Sequence, residues 1–370
     1  NWGIGDFRDV RNAINVFAPL GADFIGLNPL HAGFLGDPAR CSPYSPSNRR
    51  LLNPLYLAVD ELEDFRASSA ARSWLSSTTV QARLESLRSA ALVDYVKVAD
   101  LKLEACEFAY RQFLRTSDDE AGQADFAAFR TAHGTVLEHH AAWEATGWHS
   151  GVRAVPEFFI YLQWQTARAL DALARHARAM MKVGLYLDLA VGVTSDGGEA
   201  QSVPSLFAHG VSLGAPPDDF SPTGQNWTLP PWNPHALRAA AYQPFVQMLR
   251  SVMSAGGALR IDHVVGLLRQ FWIPDGKHAG DGVYIQFPVR DLLAIIALES
   301  HRHRCVVVGE DLGTVPDEMR TLLNEHGLLS YRVLYFERYW HGDHSFKKPW
   351  DFPADALVTI ATHDLPTLAG

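Results

Sequence analysis

Three apolar stretches of this chain end on groups that can do acid, base or nucleophilic chemistry. ALRIDH (258–263) carries Arg260, Asp262 and His263 at its close, RCVVVGEDLG (304–313) ends on Glu310 and Asp311, and DALVTIATHD (355–364) ends on His363 and Asp364. Two carboxylates across a pocket suit glycosyl transfer, in which one attacks the anomeric carbon and the other protonates the leaving oxygen. In the retaining version they stand ~5–5.5 Å apart. Asp262 and Glu310 are 48 residues apart, enough for one strand–helix–strand unit, so they are expected on neighbouring strands. Arg260, two residues before Asp262, shares its side of the strand and is expected to hold Asp262 ionised. Asp364 offers a third carboxylate for sugar hydroxyls and for a distorted, oxocarbenium-like ring. Each residue taken singly is also accounted for by a structural ion pair; the recurrence at successive strand ends favours a site.

The elements that must hold these groups alternate along the chain. Residues 6–20 have amphipathic helical spacing and stop at Gly21, and 22–30 read as a short buried strand. From about 60 to 145 the pattern is helical throughout, and 157–180 is a further helix. Strands follow at 182–191, 256–262, 305–310, 329–337 and 356–362, with helices at 235–254, 288–302 and 316–326 between them and a long loop before 234. Short apolar strands alternating with helices imply a parallel sheet covered on both faces. A Rossmann sheet is disfavoured because no Gly-rich phosphate loop follows an early strand. In a (β/α)8 TIM barrel, catalytic groups sit at the C-terminal ends of several strands, where Asp188, Asp262, Glu310 and Asp364 all fall. The predicted fold class is therefore α/β, a (β/α)8 barrel with an inserted helical subdomain.

Composition narrows the function. With 47% hydrophobic and 20% charged residues the 370-residue chain has ample material for a core. Its formal net charge of −9 argues against nucleic-acid or anionic-membrane partners. Three scattered cysteines, Cys41, Cys106 and Cys305, suggest no disulfide framework, which fits a cytoplasmic location. No apolar run reaches the ~20 residues of a membrane span. His139–His140 and HRHR (301–304) lack partners at metal-ligand spacing, so neither a metal nor a cofactor is expected. Cys305 and the aromatic residues of 157–164 read as core.

ALRIDH, VVGEDLG and ATHDLPT resemble the nucleophile, acid/base and third-carboxylate motifs of the amylomaltases, the 4-α-glucanotransferases of glycoside hydrolase family 77 in the α-amylase clan. NWGIGDF (1–7), IGLNPLHA (25–32), SPYSPSNRRLLNPLYL (42–57), GLYLDLAVGV (184–193) and GAPPDDFSPTGQNWTLPPWNPHAL (214–237) extend the resemblance over nearly the whole chain except the helical insert. The resemblance implies Asp262 as nucleophile, Glu310 as acid/base and Asp364 as transition-state stabiliser. It implies Arg260 orienting Asp262, His363 bonding hydroxyls of the reacting glucose, and Asp188 supporting the same subsite. Tyr44 would stack on a sugar, and Gln225 and Trp227 match a mobile loop arching over the site. One position departs: Leu187 stands where relatives carry Arg.

The implied function is transfer of α-1,4-glucan segments between maltooligosaccharides by a retaining double displacement. The alternatives are an α-glucan hydrolase of the same clan and a non-catalytic glucan-binding relative; the oligomeric state is left open. Domain boundaries are expected at 1–57 for the start of the barrel with a substrate loop, 58–150 for the helical insert, and 151–370 for the barrel continued. The strands read as the second to the seventh of the barrel, so an incomplete, C-shaped sheet is expected, with poor solubility and negligible activity for this segment by itself.

Overall fold

The computed structural model describes residues 1–116, 120–218, 221–313, 315–362 and 365. It divides into two compact units, Asn1–Leu185 with Gly192–Ser205, and Tyr186–Val191 with Leu206–Gly370.

The first unit is mainly helical. Asp6 caps α1 (Phe7–Phe17) by accepting the amides of Arg8 and Asp9, while Asp9 accepts the amide of Asp6 in return. Gly21, with φ 93°, ends the 3-10 turn that follows. Strand β1 (Phe24–Gly26) comes next, then the antiparallel pair β2 (His31–Ala32) and β3 (Asn48–Leu52). The chain then runs through α2 (Glu63–Ala67), α3 (Ser69–Leu75), α4 (Thr78–Ser89), α5 (Tyr95–Phe113), α6 (Glu120–Ala145, kinked at Gly134) and α7 (Pro156–Met180). Apolar spacing on α5 and α7 brings Phe113 within 5.1 Å of Tyr161 and 5.4 Å of Trp164, ring centre to ring centre. Lys102 is buried in this core, donating to the carbonyls of Leu55 and Leu57 at 2.7 Å each, and burial pushes its pKa down to about 8.

Strand β4 (Gly184–Leu189) starts in this unit, where the Asp23 carbonyl accepts from the amides of Val183 and Gly184. After it α8 (Gly198–Ser202) closes the first unit, its Glu199 paired with buried Arg49 at 2.6 Å.

The second unit holds two sheets. Short antiparallel strands β5 (Val211–Ala215), β6 (Gln225–Asn226), β8 (Arg269–Pro274) and β9 (Val283–Gln286) pair in the order β6-β5-β8-β9. Strands β5 and β6 fall inside the long loop predicted before 234, and β8 and β9 fall between 263 and 287, where no strand is predicted. These strands are two to six residues long and depend on partners distant in sequence, which leaves little local periodicity. Gly214 is obligatory there, because a Cβ would lie 2.1 Å from the Gln225 carbonyl oxygen.

The second sheet is parallel and contains the rest of β4 with β7 (Ala258–Ile261), β10 (Val306–Gly309), β11 (Leu329–Val333) and β12 (Ala356–Thr359), neighbours in that order. Sequence order and spatial order coincide with no reversal, as in a singly wound barrel and unlike a doubly wound nucleotide-binding sheet. With β1, these are the six strands predicted. Helices α9 (Pro234–Ala239), α10 (Gln243–Met253), α11 (Val289–His303) and α12 (Asp317–Glu325) lie between them in the chain. The single helix predicted over 235–254 is broken in two, since Ala241 and Tyr242 take φ of 48° and 59° ahead of Pro244.

Register fixes the faces. Asp188 lies opposite Arg260 and Val308 opposite Arg260 on its other side, so Asp188, Arg260 and Val308 share one face with Tyr186 and Tyr331. Leu187 lies opposite Leu259 on the other, apolar face, buried and away from the charged residues. Gly309, last in β10, is packed so closely that a Cβ would meet Val264 side-chain atoms at 2.9–3.1 Å. Gly309→Ala should therefore lower stability by ~1–3 kcal/mol through overpacking, measured as a shift in denaturant midpoint. An unchanged midpoint would show that Val264 has room to retreat.

Candidate active site

The site is assembled where the parallel ladder runs past its strands. The Asp262 amide donates to the Leu189 carbonyl at 3.1 Å and the Glu310 amide to the Ile261 carbonyl at 3.0 Å, so Asp262 and Glu310 continue β7 and β10 by one rung. Alternation then turns both carboxylates to the face that carries Arg260 and Asp188.

Arg260 sits at the centre. Its Nη1 lies 2.9 Å from both carboxylate oxygens of Asp188, and its Nη2 lies 2.8 Å from Asp262 and 3.9 Å from Glu310. The nearest Asp262 and Glu310 oxygens are thus no farther apart than the sum of the last two lengths, under ~7 Å, a range that includes the ~5–5.5 Å of retaining pairs. Of the four side chains Asp262 is the most exposed, at 18%, so an incoming group can reach it.

Glu310 is held differently. Its two oxygens accept the backbone amides of His263 at 2.9 Å and Leu312 at 2.8 Å. His263 reaches this position in the left-handed region, φ 47° and ψ 57°, which costs a non-glycine residue about 1 kcal/mol. The Val264 amide meanwhile donates to the Glu310 carbonyl at 3.0 Å. The His263 ring packs edge-on to Trp227, with centres 4.9 Å apart, and burial lowers its pKa to about 4, leaving it neutral.

Three carboxylates around one guanidinium are too many to be ionised together in a partly dry site. Burial pushes Asp262 up to about 7, with repulsion from Asp188 and Glu310 adding and Arg260 opposing. Burial also raises Glu310, against Arg260 and the two amides. The expectation that Arg260 would keep Asp262 fully ionised is therefore corrected. Arg260 does lower it, but desolvation is the larger effect. The proton belongs to the cluster as a whole.

The sequence itself compares as this geometry suggests. It matches the model of glycoside hydrolase family 77, described as 4-alpha-glucanotransferase, over residues 1–158 and 149–370. The chain belongs to this family. A 4-alpha-glucanotransferase of Haemophilus influenzae is 40% identical over 404 residues, which cover 100% of this chain and 57% of that protein. The crystal structure of amylomaltase from Corynebacterium glutamicum superposes with a TM-score of 0.91 at 32% identity, covering 100% of this chain and 53% of that one. An amylomaltase from Streptococcus agalactiae in complex with acarbose shares the fold, with a TM-score of 0.78 at 20% identity over 98% of this chain and 77% of its own. The chain thus spans little more than half the length of the Haemophilus relative, and its parallel sheet is the arc of an incomplete (β/α)8 barrel.

Within this glycoside hydrolase family 77 chain, four residues predicted from sequence come together: Asp188, Arg260, Asp262 and Glu310. Trp227 reaches the neighbouring His263, and Gln225 is bonded to Trp227. Gln225 forms β6 with Asn226, and its side-chain oxygen accepts the Trp227 indole N–H at 2.9 Å. Tyr44 is half-buried in the first unit. His363 and Asp364 lie outside the described residues. Sequence reasoning missed the amides of His263 and Leu312, because backbone donors leave no mark in residue type. The histidine directly after Asp262 was the available signal. Among the described residues no three metal-ligating side chains gather, and no helix is long and apolar enough to cross a membrane.

Folding raises Asp262 from its ordinary 3.8 to about 7, so the folded state binds that proton more tightly than the unfolded chain. The resulting stability is complete below about pH 4 and is lost as pH rises through about 7. Asp262→Asn, which mimics the protonated form, should raise stability by on the order of 1–2 kcal/mol at pH 8 and leave it nearly unchanged at pH 4. Thermal unfolding at both values checks this; equal effects at the two would remove the buried charge as the cause.

Proposed function

We propose that the protein is a 4-α-glucanotransferase that moves α-1,4-glucan segments from donor to acceptor maltooligosaccharides with retention of configuration. The observation that carries this reading is the Arg260-centred cluster, with Asp262, the most accessible of its side chains, beside Glu310 at neighbouring strand ends. Membership of the family supports it.

In the reactive protonation state the cluster's proton sits on Glu310 and Asp262 is ionised. An Asp262 carboxylate oxygen attacks C1 of the donor glucose, the bond from C1 to the leaving O4 breaks, and the Glu310 proton passes to that oxygen. A covalent glycosyl-Asp262 remains. The 4-hydroxyl of an acceptor then attacks C1, Glu310 takes back its proton, and Asp262 leaves. Arg260, anchored by both oxygens of Asp188, steadies the nucleophile as charge builds and fades on it. Asp364 and His363 are proposed to hold hydroxyls of the reacting glucose. Tyr44, Gln225 and Trp227 are proposed to contact sugars, and the segment 58–150 is proposed to be an insertion in a barrel that begins in 1–57 and continues through 151–370. The cluster works without a cofactor. A cytoplasmic location completes the proposal, in keeping with three free cysteines.

Incubation with maltotriose tests the reading. A transferase yields glucose and longer maltooligosaccharides while total reducing ends stay constant; rising reducing ends would make it a hydrolase, and no product from a chain that carries the complete barrel would make it a binder. Asp262→Asn should cost ~10⁴-fold or more in rate, and a variant retaining over a tenth of the activity would remove Asp262 from the role.

The pH–rate profile should be a bell. Glu310→Gln should abolish its basic limb and leave the acid limb in place, because Glu310 is already uncharged where Asp262 loses its proton. A basic limb that survives would assign the proton to another group.

A further inference from the structure

We propose that Asp311 is a positioning residue for the proton-donating carboxyl of Glu310, acting from the opposite side of the chain through Tyr331, Leu312 and its own negative charge. The proposal rests on the reading of Glu310 as the acid/base.

Asp311 is consecutive with Glu310 and turned the other way. Its side chain is wholly buried, and no step of the reaction uses it. One oxygen accepts the Tyr331 amide at 2.8 Å; the other lies 2.9 Å from Arg332 Nη1 and 3.5 Å from Arg320 Nε. The β10–β11 ladder pairs Val308 with Leu329 and Gly309 with Ser330, so Tyr331 stands on the next rung. Asp311 supplies from its side chain the acceptor that holds it there.

Two consequences reach the cluster. Tyr331 presents its ring to Arg260, whose guanidinium carbon is 5.7 Å from the ring centre, so Asp311 fixes one wall of the space that the guanidinium occupies. Leu312, the residue after Asp311, gives its amide to Glu310, and anchoring Asp311 fixes where that amide points. The charge itself also acts on Glu310, favouring its protonated form. A general acid must keep its proton at working pH, so this is the useful direction.

The charged groups facing Glu310 are Arg260 and Asp262 from β7, Asp188 through Arg260, and Asp311. His263 is neutral and contributes an amide. Facing Asp311 are Arg332 from β11, itself 3.7 Å from Glu337, and Arg320 from α12. This arrangement makes a prediction of sign. Asp311→Asn keeps an acceptor for Tyr331 but removes the charge, and should move the basic limb of kcat/KM down by on the order of one pH unit. Arg332→Gln leaves Asp311 less neutralised and should move the limb up. Arg320→Gln, at a half-exposed side chain that tolerates substitution, should move it up by less.

The experiment measures these limbs with maltotriose, alongside an infrared titration of the Glu310 carboxyl identified by difference against Glu310→Gln. Opposite shifts for the aspartate and arginine variants support the proposal. Limbs that stay put while kcat falls, or that all move together, overturn it. If Asp311→Asn and Arg332→Gln do not fold, the direction of the Arg320→Gln shift decides. If the unmodified protein with a complete barrel makes no transfer products, the transferase reading fails, while the infrared titration still tests the link from Asp311 to Glu310.

Discussion

The guanidinium of Arg260 is the constraint on which the site depends. It holds both oxygens of Asp188 and one of Asp262, with Glu310 just beyond contact. One cation among three carboxylates leaves the cluster short of positive charge, and burial makes that shortage costly. The cluster responds by keeping a proton near neutral pH, with Asp262 raised to about 7. The same shortage suits chemistry that needs one carboxyl protonated and its neighbour ionised. Arginine fits this place better than lysine, since its planar fork engages separate carboxylates with separate nitrogens.

Much of the surrounding structure serves to hold Glu310 against this electrostatic background. The parallel ladder sets the register, Gly309 allows the Val264 side chain to come close, and His263 accepts a left-handed conformation so that its amide meets the carboxylate. Trp227, carried by the antiparallel sheet, packs on the His263 ring. A strained residue between Asp262 and Val264 is thereby tied on one side to Glu310 and on the other to an aromatic that faces the site. Strain of this kind persists where neighbours over-determine it.

How much of this was legible in the sequence depended on how local the determinants are. The parallel strands were readable because each is a short apolar run bounded by helices, and the strand-end residues Asp188, Asp262 and Glu310 followed from alternation. The antiparallel strands around Gly214 and Phe271 were not readable, because their hydrogen bonds come from partners up to about 60 residues away. The break at Ala241–Tyr242 had a local signal in Pro244 that helical periodicity masked. The protonation of Asp262 was misjudged because sequence shows its ionic neighbour, two residues off, but not how much water the fold removes. Leu187, read as a lost cation, proves to be an apolar residue on the buried face opposite Leu259.

The claim that one guanidinium leaves three carboxylates with a retained proton is tested most directly by carbon-13 NMR titration. Labelled aspartate and glutamate carboxyls would be followed with pH, and resonances assigned through Asp262→Asn and Glu310→Gln. The account predicts that one carboxyl of the Arg260 cluster titrates close to neutral pH. Titration of every cluster carboxyl below about pH 5, in the ordinary range of exposed acids, would contradict it.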